Sequence, residues 1–315
     1  MLAILLTVAP VFLLIAIGYG SVRSGYVSAA LVDALNTYAV KIAVPVLLFR
    51  ALERLDFAAA FSPSLLISFY AGAFACFVIG ILAARHIFKR RPGESVAVGF
   101  AAMFSNTVLL GLAILERSQG TASLTAAIGI IAFHAPVIYA VGMLTMEFMR
   151  RDGRSFGQTV RVAGRSIMVN PLMIGILAGA FVNVTGNWLP APALETVDMI
   201  ASSAIPVALV GIGASMTRYR LGANLGETGM IAALSLLVHP AITFGLVHYI
   251  FALPPDMQRA AVTLAAMPPG MNIYLFAVMY DRAVNLAAST FLLATMLSVL
   301  TATFWIYVLD RVALG

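Results

Sequence analysis

Long apolar runs alternate with short polar breaks along the whole of this 315-residue chain. A helix needs about 20 mostly apolar residues to cross a bilayer, so the pattern predicts ten transmembrane helices. Their predicted bounds are Leu2–Val22, Ala29–Ala51, Pro63–Arg85, Ser95–Leu115, Thr121–Met149, Ile167–Thr185, Leu194–Met216, Glu227–Phe251, Met257–Met279 and Ala283–Leu309. The breaks carry the charges, prolines and glycines of loops, and the predicted fold is an all-α polytopic membrane protein.

The composition supports this fold and excludes other classes. Charged residues make up only 10% of the chain, against roughly a quarter in soluble domains. Hydrophobic residues make up 62%, too much to bury in one soluble core. A soluble enzyme, a disordered protein and a nucleic-acid binder are therefore excluded. The single cysteine, Cys76, lies in an apolar run, so we expect no disulfide, no metal site and no cofactor.

Lysine and arginine are unevenly divided between the two sets of loops. If the N-terminus is outside, the inner side holds thirteen: Arg23, Arg85, Lys89, Arg90, Arg91, Arg150, Arg151, Arg154, Arg161, Arg165, Arg218, Arg220 and Arg282. The outer side holds five: Arg50, Arg54, Arg117, Arg259 and Arg311. Because positive loops stay in the cytoplasm, we expect a multi-pass protein of the cell membrane, inner or plasma, with both termini outside.

The two halves of the chain share a spaced pattern of prolines and glycines. Pro10, Gly18 and Pro45 recur at one constant spacing as Pro171, Gly179 and Pro206. Ala101–Met103 recurs as Ala265–Met267, at a slightly longer spacing. The pattern predicts two five-helix repeats, 1–149 and 167–315, joined by a basic cytoplasmic linker, 150–166. An odd number of helices inverts the second repeat, and inverted repeats are typical of secondary transporters with a site near the bilayer midplane.

The fourth and ninth runs are interrupted near their centres, which predicts broken helices. In the fourth run the interruption is polar: Ser105, Asn106 and Thr107. In the ninth it is Pro268, Pro269 and Gly270, where the prolines remove amide donors and the glycine permits unusual backbone angles. The alternative is that the polar side chains bond to their own helix and that the prolines only kink theirs.

Two broken helices from inverted repeats should cross and direct their half-helix N-termini at one point. Such N-termini carry positive partial charge and unsatisfied amides, so the point suits a carboxylate. Asn106 and Asn272 would add side-chain donors, and Met271 and Tyr274 would contact the apolar body of the substrate.

At these residues the sequence resembles the auxin efflux carrier family, including the plant PIN-FORMED carriers and short prokaryotic members. The similar segments are Ser105–Thr107 with Gly111–Leu112, Met267–Gly270 with Phe276, Ala277 and Tyr280, Asn170–Leu172, and Val40–Phe49. Ser105 and Ala113 stand where the family usually has proline.

The resemblance implies a scaffold made of helices 1, 2, 6 and 7 and a mobile transport part made of helices 3–5 and 8–10. It also implies a crossing of helices 4 and 9, a homodimer, and elevator-like movement of organic anions.

Two single residues are further candidates. Lys41 lies well inside the second run, where a charge is costly and thus a candidate for function. It would lower the barrier to an anion or support a proton or water near the site, or else extend to the cytoplasmic surface. His134, in the fifth run, is a candidate proton relay or a packing residue, and His239 presents the same choice.

The sequence thus predicts a non-enzymatic carrier of small organic anions that exports them down the inside-negative potential. One alternative is an Na⁺- or H⁺-coupled symporter of the related bile-acid-symporter-like plan. Another is a membrane ligand sensor that does not transport. An intramembrane enzyme is not favoured, because the chain lacks His-Glu-x-x-His and paired intramembrane aspartates.

Overall fold

A computed structural model describes residues 2–57, 62–119, 121–150, 161, 164–165, 168–219, 221–222 and 224–313. Across these ranges the chain is helical, with β-structure limited to one isolated bridge. In chain order the α-helices are α1 (Leu2–Arg23), α2 (Ala29–Tyr38), α3 (Val44–Glu53), α4 (Pro63–His86), α5 (Pro92–Met103), α6 (Leu112–Ser118), α7 (Thr121–Arg150), α8 (Pro171–Val184), α9 (Ala191–Met216), α10 (Leu225–Ala233), α11 (His239–Gly245), α12 (Pro255–Ala265), α13 (Asn272–Tyr280) and α14 (Val284–Ala313). Five-residue π-helical turns at Ala39–Ala43, Thr107–Gly111, Leu234–Val238 and Leu246–Ile250 extend or join them.

Seven helical segments in the described ranges are long and apolar enough to cross a membrane. They are Leu2–Arg23, Ala30–Glu53, Pro63–His86, Ser123–Met149, Ala191–Met216, Leu225–Ile250 and Val284–Val312. The other three predicted runs differ for identifiable reasons. The sixth is the shorter apolar helix α8, and the fourth and ninth are each divided into two helices by a break.

Prolines explain two of the π-helical turns. Proline lacks an amide N–H, and its ring clashes with the carbonyl four residues earlier. The residue before Pro45 bonds instead to a carbonyl five residues back, Val44 N–H to Ala39 O, and His239 N–H bonds to Leu234 O before Pro240.

The carbonyl that Pro240 leaves without a helical donor finds another partner. Leu236 O accepts a hydrogen bond from the Trp305 indole Nε1 at 2.9 Å. An unpaired polar group is costly inside a bilayer, so this bond makes an interrupted helix tolerable there.

The described helices form two compact units. The first contains the described residues of Met1–Ala9, Phe61–Ala163 and Tyr219–Gly315, and the second those of Pro10–Ala60 and Gly164–Arg218. Each unit therefore draws on both halves of the sequence. The division into two repeats stays a prediction, and the linker 150–166 lies almost wholly outside the described residues.

Glycines set the helix contacts of the second unit. A Cβ built on Gly179 of α8 would lie 2.3 Å from Phe49 O of α3, and one on Gly18 of α1 would lie 2.0 Å from Val210 O of α9. Only glycine allows such close backbone approach. The two contacts are related by sequence, because Gly179 follows Gly18, and Val210 follows Phe49, at the same spacing. This is also the spacing of the recurring prolines.

Charged groups at helix ends are paired within their own unit. In the second unit Arg50, 8% exposed, bonds to both carboxylate oxygens of Asp198, at 2.5 and 2.8 Å, and to Glu53. In the first unit Glu227, 1% exposed, accepts a hydrogen bond from Arg90 Nη2 at 2.7 Å. This bond raises the pKa of the Arg90 guanidinium above its ordinary value.

Candidate functional site: a crossing of two broken helices

The first break lies between α5 and the π-helical turn Thr107–Gly111. Phe104, with φ −87° and ψ 105°, is extended, and Asn106, with φ −77° and ψ 63°, is not helical. Ser105 bonds through its hydroxyl to His239 rather than to its own helix. The polar residues therefore interrupt the fourth helix, and the alternative of side chains bonding back onto an intact helix is wrong here.

The second break lies between Ala265, the last residue of α12, and Asn272, the first of α13. The prolines interrupt the helix as expected. The φ of Gly270 lies outside the left-handed region, so the break does not use that part of the backbone freedom which glycine permits. Gly270 lies against Asn106, because a Cβ built on it would come within 3.4 Å of the Asn106 Cβ, an ordinary van der Waals distance.

The two breaks meet side by side, both within the first unit. Ser105 and Pro269 form an antiparallel bridge, and Asn106 N–H donates to Pro268 O at 2.9 Å. Pro268 and Pro269 can only accept, because they have no N–H. The bridged pair is also related by sequence, since Pro269 follows Ser105 at the same spacing at which Ala265–Met267 follows Ala101–Met103.

Two helix N-termini begin at this crossing. One is that of Thr107–Ser118, in which the π-helical turn continues into α6, and the other is that of α13. Neither has a side-chain cap. Thr107 N–H bonds to Ser105 O, and the amides of Ile273 and Tyr274 bond to the carbonyls of Gly270 and Met271. The other first-turn amides have no intrahelical acceptor, so these N-termini still offer donors and positive partial charge.

Side-chain amide donors are present beside these N-termini. Asn106, 9% exposed, makes no side-chain hydrogen bond to the described residues. Asn272 is half-buried, and its Oδ1 accepts a hydrogen bond from the Tyr139 hydroxyl at 3.2 Å. That bond leaves the Asn272 NH₂ group available as a donor. Sequence reasoning missed Tyr139, because a single tyrosine in an apolar run gives no signal of a partner so distant in the chain.

Both buried histidines of the first unit contact the first break. His134 Nε2 donates to Ser105 O at 3.1 Å, and His239 Nε2 donates to Phe69 O at 3.1 Å. In its neutral form His239 has Nδ1 free to accept, so the Ser105 hydroxyl, 3.4 Å away, is the donor. The histidines therefore hold Ser105 from two sides, and a proton-relay role for His134 stays a prediction.

The remaining predicted residues occupy different positions. Thr107 is 2% exposed and starts the π-helical turn, while Met271 and Tyr274 are half-buried at the start of α13. The Tyr274 ring contacts the Tyr219 ring at 5.1 Å between centroids. Lys41 belongs to the second unit, is exposed, and lies in the π-helical turn Ala39–Ala43. Its role as a supporting charge stays a prediction.

Apolar membrane-length helices and a crossing of two broken helices are together typical of membrane transport proteins. A profile of the family described as "Membrane transport protein" matches residues 3–306. The chain belongs to this auxin efflux carrier-like family of transporters, which are not enzymes.

Several named proteins are similar over almost their whole length. A Rhizobium meliloti protein named "Putative malonate transporter" is 25% identical over 305 residues, 94% of this chain and 95% of that protein. An uncharacterised transporter of Methanocaldococcus jannaschii is 24% identical, over 95% of this chain and 96% of its own length. The uncharacterised transporter YfdV of Escherichia coli is 22% identical, over 95% of both chains.

Proposed function

We propose that this protein is a secondary carrier of small carboxylates, with the crossing as its substrate site. The observation that carries the proposal is the set of donors at the crossing. Two uncapped helix N-termini, the Asn106 amide and the Asn272 NH₂ lie in one unit of a membrane transport protein. A carboxylate only accepts hydrogen bonds and is negative, so it satisfies both the donors and the partial charge.

The proposed architecture has ten transmembrane helices in two inverted repeats. The breaks support it, because their bridged residues Ser105 and Pro269 stand at the spacing of the recurring Ala-Ala-Met segment. The paired glycine contacts of the second unit also support it, because the spacing of the recurring prolines relates one contact to the other. In this arrangement α8 serves as the sixth membrane helix.

The proposed transport movement is of the elevator type, within a homodimer. The second unit holds the described helices of predicted runs 1, 2, 6 and 7, except the start of run 1. The first unit holds those of runs 3–5 and 8–10 together with the start of run 1. That grouping supports assigning the second unit as scaffold and the first, which carries the crossing, as the moving part. The homodimer rests on the family resemblance. The excess of positive loops supports a cell membrane location with both termini outside.

Malonate is the first substrate to test, because a relative bears its name. Malonate is a dianion at neutral pH, and an inside-negative potential drives export of anions. The driving free energy is about 2.3 kcal/mol per charge per 100 mV, or about 4.6 kcal/mol for a dianion. The potential alone therefore suffices for strong net export.

Cation-coupled symport is the runner-up, and two carboxylates bear on it. Glu53 and Glu227 are the most buried carboxylates in the described ranges, and each is paired with an arginine in its own unit. A paired carboxylate is a poor ligand for a coupling cation, so these contacts favour the potential-driven carrier. A membrane sensor that binds the same anion remains the third candidate.

The test is a current measurement with purified protein in liposomes on a solid-supported membrane. Malonate and a panel of mono- and dicarboxylates would be applied with and without Na⁺ and at two pH values. We expect a current that needs neither Na⁺ nor a pH gradient and falls at least tenfold in Asn106→Ala. A current that requires Na⁺ or a pH gradient would establish the symporter instead. Saturable binding of malonate without any current would favour the sensor.

A further inference from the structure

Three aromatic rings fix the position of Tyr139 in α7. Its ring centroid lies 5.3 Å from that of Phe100, 5.8 Å from Phe104 and 6.4 Å from Phe276. Phe100 and Phe276 are themselves stacked at 3.8 Å. Phe104 directly precedes Ser105, and Phe276 lies one turn into α13. The Tyr139 ring therefore packs against both arms of the crossing, and its hydroxyl has little freedom to move.

The hydroxyl of Tyr139 determines which end of the Asn272 amide is left for a ligand. An asparagine side chain presents an accepting oxygen at one end and a donating NH₂ at the other, and rotation by half a turn exchanges them. The phenol donates to Oδ1 at 3.2 Å, so in this orientation the oxygen is occupied and the NH₂ is free. The flipped amide would need the phenol oxygen as its acceptor, which is a weaker role for a phenol than donating. Without the phenol, either end of the amide could face the ligand.

Resting on the function proposed above, we propose that Tyr139 is a positioning residue that makes the crossing select carboxylates over neutral carboxamides. A carboxylate can use only donors, so it needs the NH₂ end of Asn272. A carboxamide can use either end. Tyr139 acts through Asn272 and need not touch the substrate. Asn106 and the helix N-termini do not depend on Tyr139, so its loss should weaken carboxylate recognition only in part.

The test uses the variant Tyr139→Phe with malonate and its diamide, malonamide, as the probe pair. Malonamide replaces both carboxylates by neutral carboxamides of the same shape, and its binding is measured by inhibition of the malonate current. We expect Tyr139→Phe to raise the KM for malonate about tenfold, the lower range for losing a hydrogen bond to a charged group. The maximal current should stay within about twofold. The preference for malonate over malonamide, as the ratio of the malonamide inhibition constant to the malonate KM, should fall by roughly the same tenfold factor.

Two further variants separate positioning from mere structural support. Tyr70→Phe is the matched control, because it also removes a buried phenol, one that donates to Ile130 O of α7 at 3.0 Å. It should lower thermal stability while leaving the preference ratio unchanged. In an Asn272→Ala background, adding Tyr139→Phe should leave the preference ratio as it is, because the residue through which Tyr139 acts is gone.

The outcomes distinguish this inference from the proposed function. A wild-type malonate current with the same preference ratio in Tyr139→Phe would overturn the inference alone. A further drop in the ratio when Tyr139→Phe is added to Asn272→Ala would also overturn it, since Tyr139 would then act directly. Absence of both binding and current for malonate in the wild type would overturn the proposed malonate site and this inference together.

Discussion

Replacing Gly18 by alanine tests the close approach of helix α1 to the backbone of α9 in the second unit. A Cβ at this position would lie 2.0 Å from Val210 O, whereas ordinary van der Waals contact begins near 3.4 Å. The obstacle is backbone, so no side-chain rotation can relieve it, and α1 or α9 must shift to make room. We therefore expect Gly18→Ala to separate the two helices locally.

The expected cost follows from two opposing effects. Overpacking costs about 1–3 kcal/mol, and a backbone obstacle belongs at the upper end of that range. Alanine recovers about 0.8–1.0 kcal/mol of helix propensity relative to glycine. The net loss in stability is about 2 kcal/mol. In a chain of about 150–250 residues 1 kcal/mol lowers the Tm by roughly 2–4 °C, so in this 315-residue chain the Tm should fall by at most about 4–8 °C.

Thermal unfolding in detergent measures the effect, and the chain supplies its own control. Gly20 lies in the same helix, and a Cβ built on it meets nothing within 4 Å. Gly20→Ala should leave Tm unchanged or raise it slightly. Gly179→Ala, facing Phe49 O at 2.3 Å, should behave like Gly18→Ala. If Gly18→Ala has the same Tm as Gly20→Ala, the close contact is refuted, and so is the argument that the contacts of Gly18 and Gly179 are equivalent.

Two predictions concern charged residues. Glu227→Gln should lower the free energy of unfolding by about 3 kcal/mol, because it leaves Arg90 without its buried carboxylate. The control Glu94→Gln removes a partly exposed partner 3.9 Å from Arg90 and should lower it by less than about 1 kcal/mol. Equal Tm values for the two variants would count against the buried pair. Lys41→Ala should reduce carboxylate current severalfold without lowering Tm, since Lys41 is exposed, whereas exposed Arg23→Ala should do neither. Wild-type current in Lys41→Ala would remove that residue from the mechanism.

The breaks could be predicted from sequence because their causes are local. Consecutive prolines remove two amide donors whatever surrounds them, and a polar triplet is conspicuous in an apolar run. The recurrence of Ala101–Met103 as Ala265–Met267, just before each break, then indicated that the two breaks correspond. The pairing of Ser105 with Pro269 is what the proposed inverted repeats would require, because equivalent residues of such repeats meet at their pseudo-symmetry axis.

What could not be predicted depends on contacts distant in the chain. Tyr139 and Asn272 are ordinary residues until folding brings an acceptor to a phenol. His134 and His239 belong to different helices, and nothing in either local sequence indicates that both contact Ser105. Trp305 likewise replaces a donor that a proline elsewhere removed. Each is a partner for a specific polar atom, and such partners follow from the three-dimensional packing.

At the crossing, the atoms that hold the two breaks together differ from the atoms that would bind a ligand. Its bridge and its Asn106 N–H to Pro268 O bond are made by backbone. The side chains of Asn106, Met271, Asn272 and Tyr274 take no part in that pairing. Substitutions at these positions can therefore change the groups that contact a ligand while the backbone pairing stays intact. A lineage of such proteins could therefore change substrates by a few mutations at these positions, without having to reinvent the fold that brings the two breaks together.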